Sequence, residues 1–391
     1  MNRICLLARL AALLTLVMGL QGAALAASPT LNMPVPSPPQ FQASSYVLED
    51  LHSGDVIAAD HPHKQIYPAS LTKLMTLYIV FSDLKSGRIS LDDTVHIDKT
   101  AWKTGGSRMF LPVGAKVTVR ELIRGVIVDS GNDAATALAE YVGGSEATFV
   151  TYMNRYAKRL GMAGTHFVNP TGLPNPQHYT TAADLAKLTR ALIRNFPAYY
   201  HFFKQKTLTY NHITQHNRNG LLFQDPSVDG LKTGHTQEAG YNLIASAVRN
   251  GQRLISVVIG TGSAHARVDD SEALLNYGFR FFTTKKVFAA HSAIAHAHVW
   301  DGARDQVALG LGAPLYVTYP QSQTGKLKAQ EQLPDRIMAP LRQGESVGKL
   351  IVTLGGKTLR RKPLHVLKAV PEGGLWTRLV DSTELFFDDH L

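Results

Sequence analysis

Cysteine is almost absent from this 391-residue sequence, Cys5 being the only one. That excludes a disulfide scaffold, a thiolate nucleophile and a cysteine-ligated metal from everything beyond the first few residues. Long apolar runs are missing too. Leu10 to Leu20 is too short to span a bilayer comfortably, and no later segment is long and apolar enough to do so. Charged residues make up only 18%, and the 32 glycines and 19 prolines show no period, so collagen-like and coiled-coil chains are excluded. A hydrophobic content of 45% argues against general disorder. It suffices for two packed domains, because single cores stop growing near ~250 to 300 residues.

What is present begins with an export signature. Arg3 and Arg9, the apolar run and the small-x-small site Ala24-Leu25-Ala26 predict a secretory signal peptide over residues 1–26. Cys5 lies inside it, far from the end of the run where a lipoprotein would need it. Residues 27–43, rich in Pro, Ser and Gln, read as a flexible leader. A hairpin follows from Ser45 to Leu51 and Val56 to Ala59, turning at His52-Ser53-Gly54-Asp55. Tyr67-Pro68-Ala69 leads into a helix with Leu71, Leu74, Met75 and Tyr78 on one face. Thr118-Val-Arg-Glu121 is a capping box that opens a helix to about Val128. Thr181-Ala-Ala-Asp184 is a second start, ending before Pro197. Leu243 to Arg249 and Arg253 to Gly260 are strands joined by Asn250-Gly251, a hairpin signal. The fold class is therefore α/β (α+β), with a largely antiparallel sheet flanked by helices over residues 44–285.

Past Lys286 the texture changes to short alternating runs such as Val307 to Leu309, Leu315 to Tyr319 and Lys349 to Leu354, which predicts a small all-β domain over 286–370. That stretch carries 12 Lys and Arg against 5 acids. Its basic surface suits an anionic polymer or lipid headgroups, or is simply solvated. Nucleic acid is disfavoured for an exported chain with no recognised binding motif. His291, His296 and His298 have spacings that suit a strand better than a metal site.

Three motifs carry the chemistry. Ser-x-x-Lys occurs at Ser70/Lys73, Ser82/Lys85 and Ser346/Lys349; Lys-Thr-Gly occurs at 103–105 and 232–234; Ser-Gly-Asn occurs once, at 130–132. Only Ser70/Lys73, Ser130/Asn132 and Lys232/Thr233/Gly234 stand in a serviceable order, each in a suitable local context. Ser70 opens a helix after Pro68, near the positive end of its dipole, with Lys73 one turn on. Lysine is a base only when neutral, and lowering its pKa from ~10.4 to near 7 takes roughly 4 kcal/mol. Burial and a neighbouring cation such as Lys232 can supply that bias. The 130–132 turn can present two polar side chains into a cleft. Gly234 would let a substrate backbone lie along an edge strand. Lys103-Thr-Gly reads as a surface turn.

On these motifs the chain resembles the serine D-alanyl-D-alanine carboxypeptidases of bacteria, the low-molecular-mass penicillin-binding proteins of the type 5 and 6 group. The resemblance extends to Asn217-Arg218-Asn219-Gly220-Leu221-Leu222, to Asp229-Gly-Leu-Lys232-Thr-Gly234-His235-Thr236, and to Gly260-Thr261 through Arg267 to Phe279. It implies a penicillin-binding, β-lactamase-like transpeptidase domain. It implies that Ser70 attacks the penultimate D-alanine carbonyl of a muropeptide stem, that Lys73 takes its proton, and that water then hydrolyses the acyl-enzyme. The amides of Ser70 and His235 would form the oxyanion hole, and Ser130, held by Asn132 and Lys232, would pass a proton to the leaving amine. Thr233 and Arg267 would hold the terminal carboxylate. No metal or organic cofactor is implied, and β-lactams should acylate Ser70.

The last 21 residues, 371–391, carry one Arg against five acids. On a helical wheel Leu375, Trp376, Leu379, Val380, Phe386 and Phe387 share one arc, the pattern of a membrane-surface helix. In the resembling enzymes this is the place of an amphipathic anchor, which would attach a periplasmic protein to the outer face of the cytoplasmic membrane. The acidic polar face departs from the usual preference for basic residues. Alternative functions are a D,D-endopeptidase on crosslinked wall, a β-lactamase and a silent wall-binding protein. The β-lactamase is weakened because Asn169-Pro-Thr-Gly-Leu-Pro174 holds no acid to activate a deacylating water.

Overall fold

The computed structural model describes residues 35–390, the side chains of 386–390 excepted. The predicted signal peptide and the first part of the leader lie outside the described residues, as do the side chains of Phe386 and Phe387. The centre of the catalytic part is a fully antiparallel sheet of β1 (Ser45–Asp50), β2 (Val56–Asp60), β3 (Val228–Thr236), β4 (Gly240–Arg249) and β5 (Gln252–Thr261). They are ordered β2-β1-β5-β4-β3, which leaves β3 on an edge. The β4–β5 turn is the expected one: Asn250 and Gly251 have φ of 50° and 78°, the left-handed pair that such a two-residue turn requires.

Strand alternation divides the apolar residues between two cores. Ile244, Ile255, Val257 and Ile259 face a large helical core, while Leu243, Ala245, Leu254 and Val258 face a smaller one. The large core is built on α1 (Lys73–Ser86), α2 (Val119–Arg124), α3 (Asn132–Gly143), α4 (Glu146–Arg159) and α5 (Ala182–Asn195). The smaller one lies under α6 (Ala264–Phe281), through Val268, Leu274 and Leu275. The Thr118/Glu121 capping box forms, and the Thr181 side chain accepts from the Asp184 amide.

Two details differ from the sequence expectation, and both lie at the cleft. Ser70 sits on a 3-10 turn, Ala69–Thr72, and the α-helix proper begins at Lys73. The helix expected to reach about Val128 ends at Arg124 and widens into a π-helical turn, Gly125–Asp129, before Ser130 enters the left-handed region at φ 57°. Such wide turns interrupt regular hydrogen bonding and redirect the chain.

The rest is all β until the tail. Strands β6 (Phe282–Phe288) and β9 (Leu315–Pro320) pair with each other. A second sheet has the order β7-β8-β12-β11-β10, formed by Ala293–His298, Gln306–Gly310, Lys357–Val366, Ser346–Leu354 and Leu327–Gln332. Val317, Leu350, Val352 and Leu364 lie in its core. A polar seam joins the two parts: Thr284 donates to Asp50 at 2.6 Å, Thr318 Oγ1 lies 2.6 Å from Ser53 Oγ, and Arg360 pairs with Asp55. The tail helix α7 (Leu375–His390) is held by its polar side, where Asp381 accepts from the Asp301 amide at 2.6 Å. Its Leu375 and Trp376 are 80% and 79% exposed.

Candidate active site

Three segments converge on one cleft: the 3-10 turn before α1, the turn between the π-helical segment and α3, and the edge strand β3. The first is shaped by an unusual backbone. Ala69 has φ 47°, a left-handed conformation that costs a residue with a side chain roughly 1–2 kcal/mol. Gly172 packs against it so closely that a Cβ there would lie 1.8 Å from the Ala69 carbonyl oxygen. The loop carrying Gly172 is itself fixed by Asn169, whose side-chain oxygen accepts from the Thr171 and Gly172 amides at 3.1 and 2.7 Å. The turn therefore leaves Ser70 half-buried and open to the cleft while its neighbours Ala69, Leu71 and Thr72 are buried.

Lys73 is fully buried and reaches three oxygens: Ser70 Oγ at 2.9 Å, Asn132 Oδ1 at 2.6 Å and the Thr171 carbonyl at 2.7 Å. Burial, then the Arg218 guanidinium, bring its pKa down to about 7, with Asp133 opposing. Arg218 thus joins Lys232, the neighbouring cation to which the sequence pointed and whose own basicity Lys73 lowers. Lys232 is buried as well, donating to Ser130 Oγ at 2.9 Å and to the Thr233 carbonyl at 3.0 Å. Its pKa is pushed well down by burial, then by Lys73, Arg218 and Arg267. A chain of contacts therefore runs Ser70, Lys73, Asn132 on one side and Ser130, Lys232 on the other.

The remaining predicted residues lie around this chain. Thr233 and Gly234 are in the edge strand β3, and a Cβ on Gly234 would come within 3.0 Å of the Pro68 carbonyl oxygen. His235 is exposed, with its ring 4.0 Å from that of Tyr241. Arg267 is 7% exposed, donates to the Arg218 carbonyl at 3.3 Å and lies over the Tyr241 ring; burial and Arg218 lower its pKa to about 10.

Sequence reasoning missed three contributors. Arg218, exposed and bonded to Ser107 Oγ at 2.8 Å, is the cation common to Lys73, Lys232 and Arg267. Nothing in its spacing announced a role, although it lies within one of the stretches that carry the family resemblance. The Thr171 carbonyl is main chain and has no residue signature. The Lys103-Thr-Gly turn is not idle either, because the Gly105 carbonyl accepts from Asn132 Nδ2 at 2.6 Å and orients that amide. Beside the cleft, Tyr67, Leu173, Pro174 and Glu238 line a largely apolar cavity of about 190 Å³.

A half-buried serine against a buried amine of lowered basicity, with a second Ser–Lys pair across the cleft and a free strand edge beside it, on this fold, defines the class of penicillin-binding serine hydrolases. Comparison with known proteins gives the family. Residues 32–263 match the D-alanyl-D-alanine carboxypeptidase family and residues 282–372 match the C-terminal domain of penicillin-binding protein 5. The chain is 42% identical to D-alanyl-D-alanine carboxypeptidase DacD of Escherichia coli (strain K12), over 90% of this chain and 92% of that one. It is 43% identical to DacC of the same organism, over 89% of each. The crystal structure of penicillin binding protein 5 from Haemophilus influenzae superposes with a TM-score of 0.84 at 41% identity, covering 86% of this chain and all of that one. This chain belongs to the D-alanyl-D-alanine carboxypeptidase family and is a serine-type carboxypeptidase with a penicillin-binding fold and a C-terminal all-β domain.

Proposed function

We propose that the protein removes the terminal D-alanine from peptidoglycan pentapeptide stems through an acyl-enzyme on Ser70. The observation that carries this is the set of three oxygens around Lys73 Nζ. The amide oxygen of Asn132 and the carbonyl of Thr171 can only accept, so a neutral amine gives them its two hydrogens. Its lone pair is then left facing Ser70, whose hydroxyl proton it can take as the oxygen attacks the penultimate carbonyl. A lysine with its pKa at about 7 is half neutral at physiological pH, as this step needs.

The second pair serves the leaving group. Ser130, polarised by Lys232, hands a proton to the departing D-alanine amine. Thr233, Arg267 and Arg218 give the free carboxylate a cationic end of the cleft, while the edge of β3 at Gly234 and His235 receives the stem backbone. The amides of Ser70 and His235 serve as oxyanion hole. Water completes the cycle by hydrolysing the ester, and a β-lactam enters by the same attack on Ser70. The functional division is a signal peptide 1–26, a leader 27–43, a catalytic domain 44–285, a β domain 286–370 and a tail 371–391.

Incubating the purified protein with a pentapeptide stem should release D-alanine, and Ser70→Ala should lower the rate by about 10⁴-fold or more and abolish the penicillin adduct. Equal release by both proteins would refute the nucleophile. For location, we infer a periplasmic protein resting on the cytoplasmic membrane through the exposed Leu375, Trp376, Leu379 and Val380 of α7. Deleting 375–391 should move it from the membrane to the soluble fraction. Unchanged fractionation would remove the anchor.

A further inference from the structure

On the helical side of the catalytic domain, away from the cleft, a cavity of about 570 Å³ opens between α1, the end of α3 and α4. Its floor is apolar, with Ile79 buried and Ile89 and Val142 partly so. Tyr152 and Tyr156 form a wall, and Tyr156 is fixed by a 3.0 Å contact from its hydroxyl to Ser82 Oγ. Three arginines stand at the mouth. Arg88 is paired with Asp83. Arg155 and Arg159, one turn apart on α4, have no carboxylate partner among the described residues. Each guanidinium lies instead over a tyrosine ring, 5.9 Å from Tyr152 and 5.7 Å from Tyr156.

The chemistry of such a site is specific. A guanidinium presents a rigid fork of donors that matches a carboxylate, and a ring beneath it holds the fork in place at little cost in freedom. An apolar floor with tyrosine walls suits a ring-bearing body, such as a sugar, attached to that anion. The enzyme's polymer has this character. Every uncrosslinked stem on a wall strand ends in a carboxylate both before and after one D-alanine is removed, so such a strand offers a row of anions on a sugar backbone. Asp83, at the cavity, lies ten residues beyond Lys73 on the same helix, about 15 Å along its axis. One strand could therefore occupy both places, and a second foothold raises the effective concentration of the next stem at the cleft.

We propose that the cavity bounded by Arg155 and Arg159 is a non-catalytic holding site for the carboxylate-bearing glycan strand of the cell wall. This rests on the assignment of the cleft to peptidoglycan stems, and the two can fail separately. R155Q/R159Q keeps the polar length of both side chains and removes their charge. R155E/R159E reverses it. D-alanine release would be followed on a short free pentapeptide and on solubilised, uncrosslinked glycan strands bearing the same pentapeptide. The expected result is a KM on strands raised roughly tenfold in R155Q/R159Q, as for loss of a charge-assisted contact, with a further rise in R155E/R159E. Both constants on the short peptide should be unchanged, which also shows that the fold is intact. An unchanged KM on strands, or an equal rise on both substrates, would overturn the proposal. So would a loss of binding to vesicles containing anionic phospholipid with no change on strands, which would give the site to a lipid headgroup. No release from the short peptide by the unmodified enzyme would instead sink the assignment of the cleft.

Discussion

The catalytic part and the C-terminal β part bury opposite kinds of residue. In the first, Lys73, Lys232, Asp129, Asp133 and Arg267 are all 8% exposed or less, whereas among the described residues no buried polar or charged residue other than tyrosine occurs beyond Ser271. The β part packs an interior of Val, Leu and Ile and keeps its many Lys and Arg outside. Burying a charge is expensive unless it is paired, and a group that is buried without full pairing gives up its charge instead. The contrast shows where stability has been exchanged for chemistry. The two lysines of the cleft are held in an environment that lowers their basicity, and the Asp129 carboxyl, buried next to Ser130, is pushed up to about 7.

The contrast is broken most severely by replacing Lys73. Lys73→Met should lower D-alanine release by about 10²- to 10⁴-fold, the usual worth of a positioned base. Its effect on stability depends on pH. In the folded protein Lys73 titrates at about 7, and in the unfolded chain near its ordinary value of 10.5, so between these the unfolded chain binds more protons. The wild type therefore becomes more stable relative to Lys73→Met as pH rises through this window, at up to about 1.4 kcal/mol per pH unit. Below pH 7 the difference should level off. Denaturant melts of both proteins at pH 6, 8 and 9.5 measure it, and parallel curves would mean that the amine titrates normally.

A milder change tests the cation. Arg218→Gln removes the main positive neighbour of Lys73. The amine should then keep its proton to higher pH, and the acid limb of the kcat/KM profile should move to the alkaline side, with a loss of less than about tenfold at pH 6. If the loss were the same at every pH, Arg218 would act through substrate contact alone.

Arg218 also marks the limit of what the sequence discloses. The three motifs were readable because serine, lysine and asparagine are held at fixed spacings by one helical turn, one tight turn and one strand. The two-residue turn at Asn250-Gly251 and the capping box at Thr118 were readable because local chemistry decides them. The π-helical widening at Gly125–Asp129 was not, since it is imposed by packing and carries no residue code. Nor was the Thr171 carbonyl, whose place depends on Asn169 folding a loop over Ala69. The exposed arc of α7 was visible in the wheel, but its attachment through Asp381 to the Asp301 amide needed the fold.

The smallest expected effect on catalysis comes from the β part, and it tests whether the contrast is one of function or only of composition. Leu350 is 1% exposed, in the middle strand of β10-β11-β12, where Leu350 pairs with Lys362 and with Glu331. Leu350→Ala leaves a void that neighbouring strands cannot close, at about 2–5 kcal/mol. Because the seam to the catalytic part is made of Asp50, Ser53, Thr284 and Thr318 contacts and the Asp55–Arg360 pair, the loss should reach the cleft only weakly. Melting followed by calorimetry should show an earlier transition for the β part, while kcat on a short stem peptide stays within about twofold. A drop in kcat matching the loss of stability would mean that the two parts fold as one cooperative unit, and that the apolar interior of the second is part of what holds Lys73 dry.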